Sequence, residues 1–476
     1  MVCQIKPHME KKRILGLTGV LLCVLICLLP APGALRLAAE SVGSTGDVAM
    51  KILGITALSL CWWAGGTAPN WLVAIVMLLL WVVLGQVPFT TAFSAFGSTS
   101  VWLIVGSFCL AASISKTGLF RRISWYLIRL FSPSFGGQVL ALLLCGTICG
   151  PLVPSSTAKA VLGASIAKNI ADSLEYEPDS PGRCGLFVAS FIGFSGVSAA
   201  FMSGSIHTYM VYGLLPQGSI TWGSWLLYAL PWLAVVLPGS FLLLRRAFSP
   251  GSSRLLTREY VDQECAALGA MQKKERISAV LLAGAAVLWI LEAPLHVPAS
   301  VTELGAACLC FATGILDSRE LSTAVPWDLV VFNGCVLNLS AIFSQTGLDL
   351  WLQELIAPLF TGLNSPILTV PMIVLATILL HWILASQSAT LIVLMTILPP
   401  IAAQSGIHPF VVGFAILSVL QCWFFPYQNA TFASALSGMQ GTLQHGRTVR
   451  GSFIFAAISL AGCLASIPFW RIFSLL

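Results

Sequence analysis

Pro154-Ser155-Ser156-Thr157-Ala158 and Ser386-Gln387-Ser388-Ala389-Thr390 are two short polar interruptions in a chain of 476 residues that is otherwise largely apolar. Each follows a shared marker. Ser115-Lys116-Thr117-Gly118-Leu119 precedes the first, and Ser344-Gln345-Thr346-Gly347-Leu348 precedes the second, with one difference in five positions. Thr117 lies 38 residues before Ser155, and Thr346 lies 40 before Ser386. A second interruption then comes in each half. It is Ser195-Gly196-Val197-Ser198 through Ser203-Gly204-Ser205-Ile206-His207-Thr208 in the first, and Phe424-Phe425-Pro426-Tyr427-Gln428-Asn429 in the second. A duplicated apolar unit with a small-polar break in each copy is the arrangement secondary transporters use for a midplane substrate site.

Composition sets the class. Of all residues 57% are hydrophobic and 9% charged, where a soluble domain carries about a quarter charged. Apolar runs recur at Ile14–Leu29, Leu72–Leu84, Trp225–Leu244, Ile277–Leu291 and Ser452–Phe469. Inside a bilayer every backbone polar group needs an internal partner, so these runs read as helices. The 14 cysteines sit mostly in apolar stretches, with neither zinc spacing nor a disulfide framework. The expectation is an all-α polytopic membrane protein.

The charges orient it. Lys6, Lys11, Lys12 and Arg13 precede the first run, and Arg121, Arg122 and Arg129 follow the first marker. Arg245, Arg246, Arg254, Arg258, Lys273, Lys274 and Arg276 share one polar segment that also holds Ser249-Pro250-Gly251-Ser252-Ser253. The positive-inside rule makes these places cytoplasmic and allows an outside C-terminus. The net charge of +6 is therefore a topology signal, and a nucleic-acid role is excluded. The organisation read from this is a cytoplasmic N-terminus over 1–13, a first half over 14–244, a cytoplasmic linker over 245–276 and a second half over 277–476. Within the linker, Thr257–Ala267 reads as a surface helix. Lys11-Lys12-Arg13, the first apolar run and Pro30-Ala31-Pro32-Gly33-Ala34 also resemble a signal peptide, with a cleaved leader as the alternative; the expectation is a retained first helix, the usual outcome in a multi-span protein.

The breaks offer a specific chemistry. Ser, Thr, Asn and Gln supply neutral donors. A half-helix N-terminus adds free N–H groups and the positive end of a dipole, enough to hold a carboxylate. Unwound carbonyls can hold Na⁺, placed near Ser155 and Ser386; no other metal or cofactor is called for.

These residues carry a family resemblance. The pattern resembles the divalent anion/sodium symporter family, whose members carry Ser-Asn-Thr at two re-entrant hairpin tips. Pro154-Ser155-Ser156-Thr157-Ala158-Lys159 is similar to Pro-Ser-Asn-Thr-Ala-Arg of the branch with bacterial citrate and tartrate antiporters and plastid 2-oxoglutarate/malate translocators. Ser198-Ala199-Ala200-Phe201-Met202-Ser203-Gly204 and Phe425-Pro426-Tyr427-Gln428 resemble further tracts of that branch. The resemblance implies an inverted repeat with about eleven transmembrane helices, two re-entrant hairpins and two broken helices. It also implies a homodimer in the inner membrane, an elevator-type movement and substrate contacts from Ser155, Ser156, Thr157, Ser386, Gln387, Ser388, Ser203, Pro426 and Gln428.

This chain departs from the pattern at the tips. Ser156 and Gln387 stand where the family has Asn, and Ser388 stands where it has Thr. Lys159 offers a fixed positive charge, which suits exchange of one small di- or tricarboxylate for another. Sodium-coupled symport of a divalent anion is the alternative. The structural alternatives are a snorkelling Lys159, hydroxyls that bond only their own helices, and His207 and His381 held by neighbouring helices. A channel is a further reading, though a repeat with paired helix breaks favours alternating access. Gly193-Phe194-Ser195-Gly196 fits the motif of rhomboid intramembrane serine proteases, but a nucleophilic serine needs a base within reach, and the Ala-His-x-x-Gly helix is missing from the sequence. The expectation is a transporter, not an enzyme.

Overall fold

A computed structural model describes the backbone of all residues except 1–4, 217, 252–254, 361–364, 385 and 404, and leaves the side chains of 5–14 and 356–360 undescribed as well. The side chains of Lys6, Lys11, Lys12 and Arg13, and residues Ser252, Ser253 and Arg254, therefore lie outside the described residues. Among the described residues every regular element is helical. Eight helices are long and apolar enough for one crossing, among them Gly46–Gly65, Thr99–Thr117, Trp222–Ala247 and His445–Ile472. Leu15–Leu28 and Gly33–Ser41, bent by 75° at Pro30 and Pro32, make a ninth if taken as one span. Four shorter apolar helices, Asn70–Val83, Ala299–Ala312, Gln387–Ala403 and Pro409–Leu420, hold 12 to 17 residues each. The chain is thus a multi-pass membrane protein; the described residues hold eight or nine helices of full crossing length, beside the about eleven that the resemblance implies, and the pieces either side of Cys422 are shorter than one crossing.

The element order repeats along the chain. Thr99–Thr117 is followed by Leu119–Ile128, a hairpin of Phe135–Cys149 and Ser156–Ser173, then Pro181–Phe194, a break, Ile206–Leu214 and the long Trp222–Ala247. From Leu339–Thr346 the same order runs through Leu348–Phe360, a hairpin of Pro366–Ile383 and Gln387–Ala403, Pro409–Leu420, a break, Ala430–Ser437 and His445–Ile472.

The markers are helix stops. Gly118 (φ 78°) and Gly347 (φ 70°) are left-handed, a conformation glycine adopts without a Cβ penalty. The threonine before each folds back to its own helix: Thr117 Oγ1 donates to Ser113 O and Thr346 Oγ1 to Ile342 O, both at 2.8 Å. The five-residue similarity thus encodes one local structure twice.

Two compact units are distinguished: residues 1–101 with 326–413, and residues 102–325 with 414–476. They cut across the two sequence halves, so each takes one hairpin. In the second unit the first hairpin is held by glycine. A Cβ on Gly146 would lie 2.2 Å from the Gly193 carbonyl carbon, so the hairpin arm and Pro181–Phe194 touch backbone to backbone.

The polar segment between the halves is shorter than its charges suggest. Trp222–Ala247 runs into it, Lys273–Ile290 starts within it, and Arg258–Ala267 forms a helix between them. That helix lies on Leu119–Ile128 through Arg121–Glu264 at 3.1 Å and Arg129–Asp262 at 2.8 Å. Arg122 reaches Glu275 at 2.5 and 3.1 Å and also donates to Leu268 O and Gly269 O.

Candidate functional site

The tip of the first hairpin is an unwound turn that restarts as a helix. Gly150–Leu152 makes one tight turn, Val153 is extended, and Ser155 caps the second arm by accepting the Ala158 N–H at 3.2 Å. Ser156 Oγ is buried and has no hydrogen-bond partner. Thr157 is exposed, and its hydroxyl bonds Thr431 Oγ1 at 3.1 Å.

Thr431 lies in the first turn of a second helix, Ala430–Ser437, whose start is built in the same way. Asn429 Oδ1 accepts the Phe432 N–H at 2.9 Å, while Asn429 Nδ2 donates to Gln421 O at 2.8 Å across the break. The two helices run parallel, because a Cβ on Gly438 would meet Ala164 at 3.5 Å, seven residues beyond the Thr157–Thr431 bond on each. Two N-termini, with their unsatisfied N–H groups and positive dipole ends, therefore lie side by side. Gln428, just before the cap, accepts from Phe424 N and Phe425 N through Oε1 at 2.8 and 3.3 Å, and its Nε2 has no partner. An unpaired buried hydroxyl and an unpaired buried amide costs about 1–3 kcal/mol each unless something else bonds them.

Lys159 lies directly beneath. It is 0% exposed, which excludes snorkelling. Its ammonium donates to Gly150 O at 2.8 Å, Gly204 O at 2.7 Å and Ser198 Oγ at 3.4 Å. Three N–H groups meet three neutral acceptors, joining the hairpin tip to both sides of the first break. No carboxylate of the described residues lies within ion-pair reach of it. A cavity of about 260 Å³ lies between marker and tip, lined by Gly118, Arg121, Val153, Ala158 and Lys159 among others.

The first break has its own fastening. Ser203 Oγ donates to Pro151 O at 3.0 Å and accepts from Trp222 Nε1 at 3.1 Å, so this predicted contact residue is committed to the hairpin turn. Ser205 and Thr208 cap Ile206–Leu214 reciprocally. Ser195 Oγ donates to Gln421 Oε1 at 3.4 Å, an amide and not a base, so the Gly-Phe-Ser-Gly sequence is a helix end.

The second hairpin, in the other unit, is described by itself. Ser386 Oγ accepts the Ala389 N–H at 3.2 Å, the same cap at the same distance as Ser155. Thr390 Oγ1 donates to Ser386 O at 3.0 Å, and His381 Nδ1 bonds Leu384 O at 3.1 Å. Gln387 and Ser388 are half-buried in the first turn of the second arm. Pro426 is exposed in the turn before Gln428.

Ser155, Ser156, Thr157, Lys159 and Gln428 thus come together in one unit, with Ser203 behind them. Thr431 and Asn429 were not among the predicted contacts; they join the site through a bond spanning 274 residues, and their signal was the Asn-x-Thr after the second break. Arg121, read only as a topology charge, lines the tip cavity.

A duplicated helical membrane protein with a capped, broken helix at the polar interruptions of each copy is a secondary-transporter architecture. The sodium:sulfate symporter transmembrane region matches residues 11–476, and the chain belongs to that family. It is 26% identical over 339 residues to the chloroplastic dicarboxylate transporter 1 of Arabidopsis thaliana, covering 68% of this chain and 60% of that one. It is 25% identical over 318 residues to the L-tartrate/succinate antiporter of Escherichia coli K12, covering 63% of each. The match spans less than two thirds of either relative. In fold, the chain is similar to the YdaH transporter of Alcanivorax borkumensis, with a TM-score of 0.55 and 18% identity over 81% of this chain and 88% of that one. It is likewise similar to MtrF of Neisseria gonorrhoeae, with a TM-score of 0.55 and 15% identity over 83% of this chain and 84% of that one. Family and neighbours are transporters, not enzymes.

Proposed function

We propose that the chain carries small di- or tricarboxylate anions across the inner membrane by exchange. The observation that carries this is the buried Lys159 ammonium, balanced by no carboxylate of the described residues and set under two parallel helix N-termini. Helix dipoles and neutral donors meet an anion; Lys159 adds a full charge that stays with the protein. With an anion bound, that charge is compensated and the site can cross an apolar barrier. With the site empty, an uncompensated ammonium must cross, at several kcal/mol. Empty return is slow, and exchange follows. The relatives named for dicarboxylate and for tartrate/succinate transport support the substrate class. An elevator-type movement, a homodimer and a cytoplasmic N-terminus complete the proposal.

The test is Lys159→Gln in proteoliposomes. Wild type exchanges external labelled succinate for internal succinate, with no response to sodium, and fails to fill empty vesicles. The variant loses exchange or begins to fill empty vesicles. Sodium-driven uptake into empty vesicles by wild type defeats the exchange reading. It would favour symport, the second reading, which the family's sodium:sulfate description supports.

A further inference from the structure

Helix Ala299–Ala312 carries one acidic residue, Glu303, in its apolar interior. Glu303 is 0% exposed. The hydroxyl of Tyr209, itself 0% exposed, lies 3.1 Å from Glu303 Oε1 and 3.4 Å from Oε2, and it also bonds the Ser107 hydroxyl. The backbones close over the group: a Cβ on Gly106 would meet the Glu303 carbonyl carbon at 2.7 Å.

Among the described residues no cation comes within ion-pair distance of Glu303. Helix Thr99–Thr117 offers Ser107, Cys109 and, at its end, Lys116, which pairs with Glu320. Helix Lys273–Ile290 holds its charges in the first turn: Lys274 bonds Gly314 O, Glu275 bonds Arg122, and Lys273 and Arg276 are exposed. Ile206–Leu214 adds His207, Tyr209 and Tyr212, and the same helix as Glu303 adds Cys308 and Cys310. Glu292 is spent on Trp222 N at 2.7 Å and Ala299 N at 3.1 Å.

One donor for two carboxylate oxygens is poor compensation for a buried charge. A proton on Glu303 supplies what is lacking. Ionised, Glu303 accepts from Tyr209, which accepts from Ser107. Protonated, Glu303 donates to Tyr209, which donates to Ser107. The three oxygens accommodate both states without moving a heavy atom. Tyr209 also stands one turn beyond Ser205, whose preceding carbonyl, Gly204 O, holds Lys159. A short rigid helix therefore connects the carboxyl group to the hairpin tip.

We propose that Glu303 is a proton-binding site, and that a proton moves with the anion each time the tip and its short helix move. The second clause rests on the carboxylate-carrier reading; the first does not. Infrared difference spectra of the full chain in lipid vesicles at neutral pH should show a protonated carboxyl band that shifts in D₂O and is missing in Glu303→Gln. Absence of that band in wild type overturns the proposal. In succinate-loaded vesicles, lowering the external pH should speed uptake of labelled succinate by wild type. That ratio of rates should fall to one in Glu303→Gln and be reduced in Tyr209→Phe, which keeps the ring. An equal pH response in wild type and Glu303→Gln overturns the coupling. A variant that moves no succinate is judged on the infrared band. A wild type that moves none defeats the carrier reading, and the band alone then decides Glu303.

Discussion

Three adjacent side chains at the first tip do three different things. Ser155 spends its hydroxyl on a helix cap, Ser156 holds an unpaired one, and Thr157 reaches another helix. A cap is worth about 1 kcal/mol to the helix, so a loss of transport in Ser155→Ala reports on structure as much as on binding. Neither Thr157 nor Gln387 is a cap, though Thr157 also carries the bond to Thr431, so Gln387 separates these effects better. Losing one hydrogen bond to a charged group costs roughly 1.5–3 kcal/mol. Thr157→Ala and Gln387→Ala should each weaken succinate affinity by about ten- to a hundredfold, measured as the concentration dependence of counterflow. Wild-type affinity in both variants would remove these residues from the site. The sequence was legible here where the signal is local. Small polar residues in an apolar run mark the tip directly. Lys159 was visible as a charge but not as a clasp, because two of its partners are backbone carbonyls, which leave no trace in residue types. Thr431 was visible only as part of an Asn-x-Thr, and its pairing was not, because nothing near it names a partner 274 residues away.

At the scale of elements, the repeated Thr-Gly-Leu marker predicts unequal tolerance at two glycines of equal conformation. Both are left-handed, and alanine there costs about 1 kcal/mol in backbone strain. Gly118 has open space around an added Cβ, whereas a Cβ on Gly347 would lie 2.5 Å from Ala38 O. Gly347→Ala should therefore lower the thermal unfolding midpoint clearly more than Gly118→Ala, as followed by fluorescence-detected size-exclusion after heating. Equal losses would mean that the left-handed turn alone sets the cost. The difference between eight or nine long spans and the expected eleven has its origin at this scale too. Hydropathy counts apolar length, and the chain interrupted around Cys422 divides its apolar length between two short helices, Pro409–Leu420 and Ala430–Ser437, whereas Pro181–Ala200 keeps crossing length through the break at Ser195.

At the scale of the whole molecule, the charge asymmetry makes one prediction about sidedness. Cysteines placed at Lys273 and Lys274 should react with impermeant reagents only from the cytoplasmic side, since basic residues at span ends are retained there. Labelling from outside would reverse the orientation and with it the sides reached by the hairpins. The duplication was readable from spacing alone; the way the chain divides in space was not, because compact units follow packing and the repeat follows descent along the chain. Thr157 belongs to the first copy of the repeat and Thr431 to the second, and Ser195 and Gln421 are joined in the same way. Each copy thus lends the other a helix start and the side chain that fastens it. A half chain could keep its own spans and caps and would still hold only one of the two dipoles. The smallest working carrier built on this plan is the pair of copies, interlocked from the outset.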